Sequence, residues 1–180
     1  MLTGFAALSV DTLKKYLGGF FDADGSCFIS TTTLKIIFSH SEKSLLDKIN
    51  TFYNKIFRIN IRRKTFKNQE HRSEMALVLT GIRLLPVLKD LERYCITKNP
   101  QIKLALEFLQ YVDKPGKQKE RQDIEDKMKF MNRNKDEFIS FRPYGAINVH
   151  YIAGLFDGDG YVGIRKDRLN VCCHITQRND

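Results

Sequence analysis

Four aspartates stand out by position. Asp22 and Asp24 close the stretch Tyr16-Leu-Gly-Gly-Phe-Phe-Asp-Ala-Asp-Gly25, and Asp157 and Asp159 close Tyr151-Ile-Ala-Gly-Leu-Phe-Asp-Gly-Asp-Gly160, the same pattern 135 residues later. Two apolar, glycine-bearing stretches ending in Asp-x-Asp-Gly point to a duplicated unit. Read as helices, they place all four acids at C-termini, where the helix dipole already disfavours negative charge. Carboxylates brought together there raise one another's pKa, so a divalent cation is the natural reason to gather them. Oxygen ligands from aspartate suit Mg²⁺ or Mn²⁺, with a substrate phosphate completing the shell, and the chemistry that follows is metal-assisted phosphodiester hydrolysis.

Two other readings of Asp-x-Asp-Gly compete. A simple turn explains either copy alone but not the recurrence of both in the same apolar context. A calcium-binding EF-hand loop needs Gly at its sixth position and Glu at its twelfth. Counted from Asp22 the Gly is fourth and the twelfth residue is Thr33; counted from Asp157 the twelfth is Arg168, so that reading is rejected.

The elements that must position these acids follow from the pattern around them. Gly18, Gly19, Ala153 and Gly154 sit in mid-helix, where each Gly costs about 1 kcal/mol relative to Ala. Small residues let two helix backbones approach closely, so the two motif helices are expected to pack against each other through these four positions. After the first motif, Ser26 to Thr33 and Leu34 to His40 read as strands, with Cys27 and Ile29 on one face and Phe28, Ser30 and Thr32 on the other. Ser44 to Phe57 has helical spacing of Leu45, Leu46, Ile49, Phe52, Tyr53 and Ile56. Arg58 to Lys64 reads as a strand with a basic outer face, Met75 to Thr80 as another, and Ile82 to Tyr94 and Gln101 to Tyr111 as helices parted at Asn99-Pro100.

The first unit therefore belongs to the mixed α/β (α+β) class and spans 1–112 with an antiparallel sheet. Residues 113–145 read as a charged linker: fifteen of the twenty-five residues from Asp113 to Glu137 are charged, which equally fits a solvated helix from Lys119 to Asn132. Residues 146–180 read as the start of a second unit: a motif helix, a strand with Val162 and Ile164 inward, a turn at Lys166 to Arg168, and a strand from Leu169 to Gln177. The expectation is a fragment of a longer reading frame, or a protein that needs a second chain to complete this shorter unit.

The chain of 180 residues carries 30 Lys plus Arg against 21 Asp plus Glu, a formal charge of +9, which suits a polyphosphate partner. Cys27, Cys95, Cys172 and Cys173 make no CxxC pair and read as reduced thiols, with no zinc site. Met1 to Val10 is too short and too weakly apolar to span a bilayer, and it lacks the Arg and Ser enrichment of a transit peptide. An intracellular protein with no membrane partner is expected.

These motifs resemble those of the LAGLIDADG homing endonucleases. The resemblance implies two αββαββα units with the motif helices at a central interface and a sheet surface lying saddle-like in the major groove. It implies metal ligation by Asp24 and Asp159, helped by the carbonyls of Ala23 and Gly158. Cys173-His-Ile-Thr-Gln177 looks like the family's second-strand ending, whose Gln lies beside the active site, and His40 in Ile36-Ile-Phe-Ser-His40 holds that place in the first unit. His40 departs from the usual Gln: water positioning and an ordinary satisfied or groove-facing His both remain open. Lys98 resembles the basic residue that supports charge near the scissile phosphate, with a solvated helix-end Lys as the alternative.

Strand parity under the same resemblance gives the groove-facing positions Phe28, Ser30, Thr32, Lys35 and Ile37, then Gly163, Arg165, Asn170, Cys172 and His174. Arg58, Asn60, Arg62 and Lys64 add base or phosphate contacts. The implied function is a site-specific double-strand DNA endonuclease encoded in a mobile group I intron, its partner a long duplex target. A group I intron RNA maturase on the same scaffold, with intron RNA as partner, is the main alternative; a non-cutting DNA-binding regulator and an inactive fragment are others. Lys and Ile richness is compatible with an AT-rich genome, and so with a mitochondrion or chloroplast.

Overall fold

A computed structural model describes residues 8–59, 62–67, 73–134, 147–165 and 170–175. Helix α1, Val10–Asp24, starts where Ser9 accepts from the Thr12 N–H at 3.1 Å, a serine N-cap. It ends at Gly25, whose extended backbone leads directly into strand β1, Gly25–Ser30. Strand β2, Thr33–His40, returns antiparallel with Ser30 opposite Thr33, so Thr31 and Thr32 form a two-residue turn. Both have positive φ, 47° and 62°, as a primed hairpin turn demands. Thr32 thus lies at the hairpin tip and not on the strand face that alternation assigned to it.

Helix α2, Lys43–Phe57, is followed by β3, Arg62–Lys67, β4, Ser73–Thr80, a short 3₁₀ turn, α3, Leu85–Tyr94, and α4, Asn99–Leu109. The sheet order is β1-β2-β4-β3, every neighbour antiparallel. The expected strand from Arg58 is displaced. Arg58 caps α2 in the left-handed conformation, φ 55°, its N–H bonded to Asn54 O, and the β3 strand begins four residues later. Pro100 separates two helices, as read from the sequence, by sitting in the first turn of α4, where its missing N–H costs nothing.

One sheet face carries the core. Ile29, Leu34, Ile36, Phe38, Leu77 and Leu79 meet Leu17, Phe20 and Phe21 of α1, Ile49 and Tyr53 of α2, and Leu88, Ile102 and Phe108 of α3 and α4. The segment read as a charged linker contributes to this core. Its helix α5, Gln118–Arg133, buries Ile124, Met128 and Met131, and Asn132 Nδ2 donates to Cys27 O at 3.0 Å along the outer edge of β1. Three apolar side chains among many charges suffice because they share one helical face, and the helix covers a sheet edge that would otherwise offer unpaired groups.

Helix α6, Val149–Asp159, is capped by Asn148, whose Oδ1 accepts from the N–H groups of His150 and Tyr151. It runs into the hairpin of β5, Gly160–Arg165, and β6, Asn170–Ile175, which form their own two-stranded sheet. Val162, expected inward, is 56% exposed, and Ile152 and Ile175 are exposed too. The expected turn at Lys166 to Arg168 lies outside the described residues.

Candidate active site at the paired motif helices

The two motif helices pack through Gly19 and Gly154. A Cβ on Gly19 would lie 1.9 Å from Tyr151 O, and a Cβ on Gly154 would lie 1.9 Å from Tyr16 O. The relation is reciprocal: Tyr16 and Gly19 recur as Tyr151 and Gly154 at the same offset, so a pseudo-twofold axis passes between the helices. Gly18 and Ala153 depart from the expectation. A Cβ on Gly18 would meet Tyr94 of α3, not the other motif helix, and Ala153 is exposed. One residue earlier on a helix is a rotation of about 100°, enough to leave the interface.

The helix C-termini converge with their acids. A Cβ on Gly158 would touch Ala23 Cβ at 2.4 Å and come within 3.5 Å of Asp24 Cγ, so Gly158 is the small residue that admits Asp24 to the junction. Lys98, arriving from the connection between α3 and α4, donates from Nζ to Phe21 O and Ala23 O, both at 2.9 Å. Its ammonium thus meets the partial negative charge of the α1 terminus. Burial raises the pKa of the Asp159 carboxyl, and the Lys98 charge pulls it back down. Asp24, Asp159 and Lys98, which the resemblance grouped, are therefore brought together. Ala23 O, expected as a metal ligand, accepts from Lys98 Nζ in this structure.

The first acid of each motif behaves differently. Asp22, 2% exposed, accepts from the N–H groups of Ile96 at 2.5 Å, Thr97 at 3.1 Å and Lys98 at 2.9 Å, and from the Tyr151 hydroxyl at 2.8 Å. It caps the approach to α4 and does not face the Asp24–Asp159 junction. Across the axis, the Tyr16 hydroxyl donates to Asp157 Oδ2 at 2.7 Å. Both phenols are pushed up in pKa, chiefly by burial, and further by the carboxylate each one serves. Sequence reading grouped Asp22 and Asp157 with the other acids and passed over the tyrosines. The signal was present, since Tyr and Asp recur together six residues apart in both copies.

His40 sits near the second motif helix, with Nε2 3.1 Å from Asp157 O, while its Nδ1 accepts from the Glu42 N–H at 3.0 Å. With Nδ1 accepting, Nε2 carries the proton and donates to the carbonyl, so both ring nitrogens are satisfied. Of the two readings left open for His40, the geometry favours a satisfied histidine. Gly25 pairs with Phe38 and Gly160 with Ile175, which makes His40 and Gln177 counterparts two residues further on. Gln177 itself lies outside the described residues.

On the sheet face away from the core, Phe28, Ser30, Lys35 and Ile37 are half-buried neighbours, with Lys35 Nζ 5.8 Å from the Phe28 ring centroid. Ser26 and Ser39 share this face and were not assigned from sequence. Backbone register sets Arg62 opposite Val78 and Lys64 opposite Ala76, in the rows of Ile37 and Ser39. Arg58 is at a helix end, and Asn60 lies outside the described residues. In the second hairpin Arg165 pairs with Asn170, Gly163 is buried opposite Cys172, and His174 is exposed.

Two carboxylates at one junction, with one ammonium beside them, fit a hard divalent cation that takes few protein ligands. No cluster of three or more His, Cys, Asp or Glu side chains suited to a metal occurs among the described residues, which leaves backbone and substrate oxygens to complete any such shell. No helix among the described residues is long and apolar enough to cross a membrane.

Residues 11–91 match the family model of the LAGLIDADG-like domain. A search of curated proteins by sequence finds no match. Among solved structures, the chain is similar to the homing endonuclease I-CvuI in complex with its target in the presence of calcium, with a TM-score of 0.52 and 21% identity over 71% of this chain and 93% of that one. It is also similar to the LAGLIDADG homing endonuclease I-GzeII in complex with a DNA target, TM-score 0.53 and 16% identity, and to the LAGLIDADG meganuclease I-CpaMI bound to uncleaved DNA, TM-score 0.51 and 14% identity. Both matches cover 89% of this chain, which spans 64% of the length of each of those proteins. At these identities the likeness carries the fold.

Proposed function

We propose, for a chain that belongs to the LAGLIDADG family, that it is a site-specific DNA endonuclease hydrolysing both strands of a long target with Mg²⁺ or Mn²⁺, encoded in a mobile group I intron. The observation that supports this reading is the meeting of Asp24, Asp159 and Lys98 at one end of the paired motif helices, beside a sheet face bearing Phe28, Lys35 and Ile37. The cation would be held by Asp24 and Asp159 and would polarise a phosphate oxygen and activate water. The chain's own groups supply the rest. Lys98 offsets negative charge at the helix ends, and the sheet face and its basic rows hold the duplex.

The test is cleavage of the intronless allele of the host gene, or of a randomised duplex library, in Mg²⁺ by the full chain beside Asp24→Asn and Asp159→Asn. Metal-dependent double-strand cutting lost in either variant supports the reading. Duplex binding with no cutting overturns it in favour of a DNA-binding protein, and tighter binding to intron RNA than to duplex overturns it in favour of a splicing cofactor.

A further inference from the structure

Lys98 is tied at both ends to the same three residues of α1. Its backbone N–H donates to Asp22 Oδ1 at 2.9 Å, and its Nζ reaches Phe21 O and Ala23 O, on either side of Asp22. Asp22 therefore decides where the lysine starts, and the helix end decides where it finishes. The other carboxylate oxygen, Oδ2, gathers the Ile96 and Thr97 N–H groups and the hydroxyl of Tyr151. Tyr151 belongs to the second motif helix. It reaches Asp22 because Gly19 lets its backbone carbonyl lie against α1. The connection is held shut from both flanks: Cys95 Sγ donates to Gly18 O at 3.4 Å, and Asn99 Nδ2 donates to Glu92 O at 2.6 Å.

We propose that Asp22 and the Tyr151 hydroxyl form a cross-repeat positioning pair that sets Lys98, so that the lysine of one half-site is held in place by a residue of the opposite repeat. The inference rests on the nuclease reading for its consequence, because a half-site acts on one strand. A buried carboxylate with four donors fixes its neighbours closely, and removing one donor loosens the amides bound to the same carboxylate. Tyr16 and Asp157 form the pseudo-symmetric pair. The Tyr16 hydroxyl donates to Asp157 and not to Asp22, so Tyr16 serves as the internal control.

The experiment follows each strand separately, with a duplex target labelled on one strand or the other, under single-turnover conditions with the full chain saturating and Mg²⁺ present. Tyr151→Phe is expected to slow one strand by roughly fivefold, the equivalent of about one net hydrogen bond's worth of lysine positioning, and to accumulate nicked duplex with Kd unchanged. Asp22→Asn should slow the same strand further, and Tyr16→Phe should leave it unaffected. A purely structural role would slow both strands alike. In parallel, amide hydrogen exchange on the DNA-free chain should accelerate at Ile96, Thr97 and Lys98 in Tyr151→Phe and not in Tyr16→Phe. Equal slowing of both strands, or unchanged exchange at those amides, overturns the proposal. If the wild-type chain cuts neither strand, the nuclease reading fails, and exchange at the three amides alone decides the positioning pair.

Discussion

Tyr16 donates its hydroxyl to Asp157 across the motif-helix interface at 2.7 Å, and the mirror bond, Tyr151 to Asp22 at 2.8 Å, ends on a carboxylate with quite different surroundings. Asp22 is buried with three backbone donors, whereas Asp157 is exposed. Deleting the two hydroxyls should therefore cost unequal amounts. Tyr151→Phe leaves a buried acceptor short of a partner and should destabilise by about 1–2 kcal/mol, whereas Tyr16→Phe lets water take over and should cost less than about 1 kcal/mol. Urea unfolding of both single variants and the double variant measures this, and equal losses would show that the two carboxylates are equally solvated.

Gly19→Ala and Gly154→Ala should each destabilise by about 3 kcal/mol, because the new methyl would meet a backbone carbonyl that no rotamer change can move. Both built positions lie 1.9 Å from the opposing oxygen. Thermal unfolding checks this. A variant that melts within a few degrees of the wild type would mean that the helices slide apart without loss, and the close interface would carry little of the stability.

These glycines also mark how far the sequence could be read. Their repetition indicated a helix pair, but only the structure separates Gly19 and Gly154, which face each other, from Gly18, which faces Tyr94. A one-residue step changes the helix face, and four consecutive apolar or small residues give no phase. Likewise Asp22 and Asp24 look equivalent in sequence, yet their side chains leave the helix in different directions, one toward the 96–98 amides and one toward the second motif. The alternation in β1 and β2 predicted Phe28, Ser30, Lys35 and Ile37 on one face, as the structure has them. It failed at Thr32 and Arg58, where positive φ breaks the period of two. The buried face of α5 was hidden because charge density masks three apolar side chains spaced four and three apart.

Thr31 and Thr32 hold positive φ at the β1–β2 turn, where β-branched residues are strained by roughly 1–2 kcal/mol each. Replacing them with Asn-Gly, the pair such turns favour, should raise stability by about 1 kcal/mol or more in urea unfolding. If stability falls instead, the threonines are making compensating contacts at the tip.

Burial pushes the Cys27 thiol from near 9.0 up to about 12. A pKa raised in the folded state stabilises fully below the unfolded value and is lost as pH climbs toward the folded one, so this contribution should disappear between about pH 9 and 12. At pH 8 Cys27 and Cys95, both buried, should resist a thiol reagent until the chain is denatured, while exposed Cys173 reacts at once. Mass mapping of labelled peptides distinguishes the sites; early labelling of Cys27 would mean that α5 lifts readily from the β1 edge.

Lys35 and Phe28 pair directly across β1 and β2, with the ammonium 5.8 Å from the ring centroid. On the proposed duplex-binding face, the lysine's charge can serve a phosphate while its stem rests on the ring. Lys35→Ala should then weaken duplex binding uniformly across sequences and reduce the steepness of the salt dependence by about one unit of the log–log slope. Phe28→Ala should leave that slope unchanged, since it removes no charge, whatever it does to affinity. Kd measured over a range of salt concentrations for wild type and both variants separates these roles. A Lys35→Ala chain with unaltered slope and selective loss on some sequences would make Lys35 a reader of base edges, and one with neither change would place the duplex on another face.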